Sequence, residues 1–265
     1  MALRLRIMGN RVLDWMNTTT EVRDAEVELA ILPLASVEQH GSHLPVGTDL
    51  IVMERIARRV AESLKGRCYL LPTFPFGTSG SHLGMAGTIS LEWPTLMGVV
   101  IDLVDSLLTQ GISKIAVLNN HGCASGDRAV PVGNEIVKAT VRQLNYDHPE
   151  LMAIWVQPFA VAGQELASIL QSTGDDIHAG ELETSLLLYL GPEMVIESSE
   201  DFVPQVNKDW LRCVPFRKIS PRGIWGKPSL SSAKTGKRAL EVVVKGTVEY
   251  IERAFEQLES IKRGI

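Results

Sequence analysis

The sequence predicts an α/β protein built on a mostly parallel sheet with helices on both faces. Short apolar runs alternate with amphipathic stretches, an order that implies right-handed βαβ units. The chain has 265 residues, of which 45% are apolar. At that length folding buries roughly 75% of the extended chain's surface, so a large core forms without disulfides. No proline-, glycine- or charge-rich linker divides the sequence, so residues 1–265 are expected to form one domain.

The elements follow in order. Val27 to Pro33 is a short apolar run and reads as a buried strand. A helix begins near Thr48 and Asp49, with Thr48 as its cap. Ile51, Ile56, Val60 and Leu64 form its apolar stripe, and Gly66 sits at its stop position. Cys68 to Leu71 reads as a second strand, followed by a Gly- and Ser-rich loop to Thr88. A second helix follows Ser90 and ends before Gly111. Lys114 to Leu118 is a third strand, leading into the loop 119–126 and a helix to about Leu144. Leu151 to Val156 is a fourth strand. Helices around 160–171 and 183–190 come next. The stretch 195–230, with Pro204, Pro215, Pro221 and Pro228, reads as irregular, and a helix of about 233–259 closes the chain.

Composition excludes several classes. With 26 basic and 31 acidic residues the formal net charge is −5, which argues against a nucleic-acid or anionic-membrane binder. Three cysteines without a Cys-x-x-Cys pair argue against a disulfide framework and a zinc ribbon. No apolar run reaches about 18 residues, and Met1 to Asn10 lacks the apolar core of a signal peptide. A soluble cytoplasmic protein is expected. The absence of Gly-x-Gly-x-x-Gly at a strand–helix junction argues against a dinucleotide cofactor.

In parallel sheets the ligand site lies beyond the carboxyl ends of the strands. That rule singles out the loops 33–49, 72–88 and 119–126. The first packs Glu38, His40, His43 and Asp49 into twelve residues. Glu38 and His40 are two apart and project to one side of extended backbone, while Asp49 opens a helix whose dipole favours an anion. The second cluster is Asn119-Asn-His121-Gly, just past an apolar strand. The third is His178-Ala-Gly-Glu181-Leu-Glu183-Thr-Ser. Each has a structural reading taken singly: a capped polar loop, a hydrogen-bonding histidine, a helix N-terminus rich in acids. Their convergence on one sheet edge favours a site. Five of the six histidines, His40, His43, His82, His121 and His178, lie in or near these loops; His148 reads as surface.

Two imidazoles plus three carboxylates suit Zn²⁺, Mn²⁺ or Fe²⁺, and the absence of thiolate argues against a purely structural zinc. Five ligands exceed the needs of one tetrahedral ion with an open position and suit two ions sharing a carboxylate. Such a pair holds a hydroxide at neutral pH and polarises the bond it attacks, which points to metal-assisted hydrolysis.

The pattern Glu38-x-His40-Gly-x-His43-Leu-Pro-x-x-Thr48-Asp49 resembles the signature of the creatininase family, the creatinine amidohydrolase-like proteins. The loop from Phe76 to His82, Gly87-Thr-Ile-Ser90, Asn119-x-His121-Gly122 and the run from His178 to Ser185 fall in the family's order. The resemblance spans roughly 30 to 190. It implies a three-layer α/β/α fold, a dinuclear metal site with zinc foremost and manganese or iron as alternatives, and a homo-oligomer, often a hexamer. By position, Glu38 and His121 would hold one ion, His40 and Glu183 the other, and Asp49 would bridge. His178 matches a histidine that moves protons. Glu183 is preferred to Glu181 because it occupies the Glu-Thr-Ser position.

Two departures argue against creatinine itself. Creatininase proper has a glutamate where this chain has Cys123, and a tryptophan in the loop that here reads Ser172-Thr-Gly-Asp-Asp176. Trp155 matches another substrate-side tryptophan. Ser79, His82, Cys123 and Trp155 are the candidate substrate-binding residues, with a turn-forming role as the alternative for Ser79 and loop filling for Cys123. The expectation is an amidohydrolase of a small cyclic or linear amide. The rivals are hydrolysis of a cyclic ketone of the keto-inositol type and a non-catalytic metal-binding protein. The basic stretch from Lys208 to Arg238 reads as a solvated or inter-subunit surface in preference to an anion site.

Overall fold

The structure, a computed structural model, describes residues 11–121, 132–172, 174–196, 200–212 and 214–264. In chain order the elements are β1 (Val12–Asp14), α1 (Thr19–Asp24), β2 (Leu29–Leu34), α2 (Thr48–Ser63), β3 (Cys68–Leu70), α3 (Trp93–Leu108), β4 (Lys114–Asn119), α4 (Val132–Asp147) and β5 (Met152–Val156). After the last strand come α5 (Pro158–Val161), α6 (Gly163–Ile169), α7 (Glu181–Leu190), α8 (Phe216–Ile219) and α9 (Ala233–Arg263).

The five strands pair in the order β1-β3-β2-β4-β5, every pairing parallel. All six residues of β2 are buried, because helices cover both faces. Alternate strand residues serve opposite layers. Leu29, Ile31, Ala116 and Leu118 pack with α2, α7 and α9; Ala30, Leu32, Ile115 and Val117 pack with α3 and α4. The result is the three-layer α/β/α arrangement.

This topology opens the crevice. The chain leaves β2 into α2 on one face and leaves β4 into α4 on the other, while β2 and β4 are neighbours. Loops that part to opposite faces between adjacent strands leave a gap at their carboxyl ends.

Three local details differ from the sequence reading. β1 and α1 precede the first expected strand; α1 is fixed by a capping box in which Glu21 N donates to Thr18 Oγ1 at 3.3 Å and Thr18 N to Glu21 Oε2 at 2.8 Å. Both are too short to leave a periodic apolar pattern. Thr48 does not cap α2: the cap position is Gly47, and the Thr48 hydroxyl donates to Pro45 O at 2.7 Å. The stretch before α9 is irregular as expected, yet it buries Phe216, Ile224 and Trp225.

α9 carries its apolar stripe at Ala239, Leu240, Val243, Ile251 and Phe255 and is capped by Ser232, whose hydroxyl accepts from Thr235 N at 3.0 Å. Gly236 lies against α7; a Cβ there would sit 1.8 Å from Ser185 O. Ser232 N also donates to Ser185 Oγ at 3.1 Å. The two helices therefore meet backbone to backbone beside Glu183. No helix among the described residues is long and apolar enough to cross a membrane.

Candidate metal centre

The loop after β2 carries Glu38 and His40 and returns at Asp49 in the first turn of α2. His121 stands just past β4. Glu183 lies in the first turn of α7, where the dipole favours a carboxylate. His178 precedes that helix and pairs with Trp225 through His178 N to Trp225 O at 3.1 Å and Trp225 N to His178 O at 2.8 Å. All six side chains but Glu183 are buried, and Glu183 is partly so.

Two groups of three result. Glu38, Asp49 and His121 bring one donor atom each within 4.8 Å of one another, and so do His40, Asp49 and Glu183. Asp49 belongs to both. A third such group, Glu38, His40 and His178, overlaps them.

The imidazole protons can be placed from their partners. His40 Nδ1 lies 3.0 Å from the carbonyl oxygen of Glu38. A carbonyl only accepts, so Nδ1 donates and Nε2 is the nitrogen left to bind a metal ion, once it has lost any proton of its own. That nitrogen faces Asp49 and Glu183, each 3.7 Å away. His121 is held the other way round: Nε2 donates to Thr78 O at 3.2 Å, and Nδ1 faces Asp49 at 3.3 Å and Glu38 at 3.4 Å. A ring nitrogen this close to carboxylates needs a cation between them: a proton in the metal-free protein, a metal ion when one is bound. Glu38 Oε2 and His40 Nε2 are buried with no hydrogen-bond partner among the described residues. A carbonyl behind a ligating imidazole is a recurrent feature of metal sites, and these donors suit Zn²⁺, Mn²⁺ or Fe²⁺.

Supporting contacts fix the carboxylates. Glu183 Oε2 accepts from Ala179 N at 2.6 Å, a bend in which Ala179 takes φ +52°. His43 Nε2 meets Thr184 Oγ1 at 3.0 Å, which ties the first loop to α7. Glu181 points elsewhere. Its carboxylate accepts from Gln171 N, Ser172 N and Ser172 Oγ at 2.7–3.1 Å, so it braces the preceding loop. Asp176 accepts from Glu181 N and Leu182 N, both at 2.8 Å, and caps α7 from outside.

Of the remaining expected residues, His82 is in the centre, with Nε2 3.8 Å from Glu38 Oε1. Ser79 sits behind His121, its hydroxyl 3.5 Å from Nε2 and bonded to Ser36. Trp155 packs with the α3/α4 layer, and Lys138 Nζ lies 5.4 Å above its ring. Cys123 lies outside the described residues.

The sequence reading missed three contributors. Gln39 bonds both His82 and His178. The Phe216 ring lies 4.6 Å from His82, tilted over it, and 5.2 Å from His178, edge-on. Trp225 holds His178 through its backbone. The last two come from the irregular C-terminal stretch, which has no local pattern to announce them.

The centre predicts an unusual pH dependence for the metal-free protein. Burial opposes charging His40, but Glu183, Asp49 and Glu38 prevail and raise it to about 10. Burial likewise opposes a charge on His121, which Glu38 and Asp49 raise to about 9. Burial lowers His43 to about 4, and His82 and His178 to about 3 each, with the His40 ring adding to all three. The two raised rings stabilise the fold below their unfolded value of about 6.5 and lose that contribution as pH rises through 9 to 10. The three lowered rings stabilise it above about 6.5 and lose that contribution as pH falls toward 3; Asp176, pushed up to about 7 by burial, offsets part of this. Thermal melts in chelator should therefore peak near pH 6.5. A stability that rises steadily from pH 6.5 to 9 would contradict the placement of His40 and His121 among carboxylates.

Comparison with known proteins gives a consistent picture. The family profile described as "Creatininase: Creatinine amidohydrolase" matches residues 15–251. The mycofactocin precursor peptide peptidase of Mycobacterium ulcerans (strain Agy99) is 31% identical over 235 residues, 84% of each chain. The creatinine amidohydrolase of Pseudomonas putida is 27% identical over 257 residues, 92% of this chain and 95% of that one. A crystal structure of creatinine amidohydrolase superposes with a TM-score of 0.74 at 24% identity, covering 91% of this chain and 97% of the other.

Proposed function

The chain belongs to the creatininase family, and from that premise we propose that it is a dinuclear metal-dependent hydrolase cleaving the C–N bond of a small cyclic or linear amide. The observation that carries this reading is the pair of three-residue groups meeting at Asp49. One ion would be held by Glu38, Asp49 and His121, the other by His40, Asp49 and Glu183. Two such ions, zinc foremost, supply an acidified water and a polarised carbonyl. The relatives named above act on creatinine and on a precursor peptide, and both names describe amide cleavage.

The chain's own residues supply the rest. The Glu38 and Thr78 carbonyls keep His40 Nε2 and His121 Nδ1, the nitrogens that would bind the ions, turned toward the carboxylates. His178 does not need to be a ligand: its Nδ1 lies 3.8 Å from Glu38 Oε1, at the rim of the centre. A ring kept neutral there accepts a proton on the side of the attacking water and returns it to the leaving nitrogen. Phe216, tilted over His82 and edge-on to His178, would exclude water from that side. The loss of a glutamate at Cys123 separates the substrate from creatinine.

The test combines metal analysis with Glu38→Gln. Two ions per chain are expected in the wild type. The variant should bind fewer and lose at least about 10²–10³-fold in turnover of a panel of small amides, lactams and short peptides, roughly 3–4 kcal/mol of barrier. Wild-type protein that takes up no metal, with hydrolysis untouched by Glu38→Gln, would overturn the reading.

A further inference from the structure

We propose that Gln39 is a positioning residue that holds two neighbouring imidazoles in one tautomer but turned opposite ways, so that His178 offers the centre a proton acceptor and His82 offers it a proton donor. The inference rests on the hydrolase reading above and deepens it.

The assignment begins with the amide of Gln39, which is buried. Its Oε1 accepts from Gly41 N at 3.1 Å. A flipped amide would set two donors against each other there, so the NH₂ end is the end that faces the histidines. It lies 2.8 Å from His82 Nδ1 and 3.0 Å from His178 Nε2. The main-chain carbonyl of the same residue lies 2.7 Å from His178 Nε2.

For neutral rings these contacts admit one solution. A carbonyl cannot donate, so His178 carries its proton on Nε2 and gives it to Gln39 O. That nitrogen then has no lone pair for the amide. The amide hydrogen goes to His82 Nδ1, which must be bare, and the His82 proton sits on Nε2. Both rings are Nε2–H tautomers. They meet Gln39 by different nitrogens and therefore present different ends to Glu38 Oε1: the His178 Nδ1 lone pair and the His82 Nε2–H, each 3.8 Å away.

Two further features hold Gln39 in this pose. Its N–H donates to Thr88 Oγ1 at 3.1 Å. Gly223, with φ +75°, lies against the amide, where a Cβ would come 1.8 Å from Oε1.

The experiment is two-bond ¹⁵N–¹H correlation spectroscopy on ¹⁵N-histidine-labelled protein, metal-free and zinc-loaded, for the wild type, Gln39→Glu and Gln39→Met. In the wild type, both rings should show protonated Nε2 and bare Nδ1, with or without zinc. Glutamate keeps the shape but only accepts, so His82 should move its proton to Nδ1 while His178 keeps its own. On the amide that the wild type turns over best, kcat should fall about 100-fold in Gln39→Glu, near the low end for losing an acid–base group, with zinc content unchanged. Methionine, which fixes neither end, should give mixed His82 tautomers and an intermediate rate. A wild-type spectrum with the proton on Nδ1 of either ring overturns the proposal without any variant, and so does a His82 tautomer that ignores Gln39→Glu. Because the spectrum is read on metal-free protein, failure to bind zinc would sink the hydrolase reading separately from this one.

Discussion

Asp49→Asn is expected to abolish two-ion binding and cut turnover by at least about 10³-fold, roughly 4 kcal/mol of barrier. Asp49 is the only residue common to both the Glu38–His121 group and the His40–Glu183 group. Its two oxygens face different rings, Oδ1 toward His40 and Oδ2 toward His121. An asparagine offers one oxygen and one NH₂, so one side loses a charge and gains a donor where a cation should sit. Substituting any other member strips one group and leaves the second with three donors. The check is metal content by elemental analysis alongside circular dichroism. A folded variant that still carries two ions at wild-type affinity would refute the shared role.

Gly236→Ala is expected to destabilise the fold by about 1–3 kcal/mol through overpacking, or about 2–4 °C of melting temperature per kcal/mol. A substitution of glycine by alanine inside a helix ordinarily gains up to about 1 kcal/mol. Here the new Cβ would lie 1.8 Å from Ser185 O and 2.4 Å from Ser185 C, so α9 and α7 must separate. Glu183 sits two residues before that contact and should shift with it, weakening the metal site as well. Gly246→Ala in the same helix is the control. Its nearest neighbours would be 3.7 Å from the new Cβ, so it should be neutral or stabilising. Equal melting shifts for the two variants would show that backbone contact at Gly236 is unimportant.

Much of this was legible in the chain. The apolar runs read at 27–33, 114–118 and 151–156 fall on β2, β4 and β5, and the stripe of Ile51, Ile56, Val60 and Leu64 falls on α2, which covers one face of the sheet. The first loop announces itself because ligand-type residues crowd one segment, and the family resemblance adds the order of the other clusters. β1 escaped because three edge residues carry no period. Gln39 escaped because its value lies in contacts with residues 43 and 139 positions away. Phe216, Gly223 and Trp225 escaped for the same reason: an irregular stretch rich in proline and basic residues resembles surface until the fold presses its apolar members against the centre. The choice of Glu183 over Glu181 rested on resemblance alone; in the structure Glu181 has its oxygens committed to the backbone of Gln171 and Ser172.

The three rings His40, His121 and His178 are each held from behind by a main-chain carbonyl, those of Glu38, Thr78 and Gln39. No side-chain substitution can delete such an acceptor, so ring aim should tolerate wide sequence drift at positions 38, 39 and 78 even where other functions of those residues are lost. Length is a different matter. Inserting or deleting one residue between β2 and His40 would move two of the three carbonyls together, and with them the aim of two rings. Outside Glu38 and His40, which are themselves in the ligand groups, the loop should thus be permissive to exchange and intolerant of indels. A library scanning both kinds of change, scored by metal retention, should separate them cleanly.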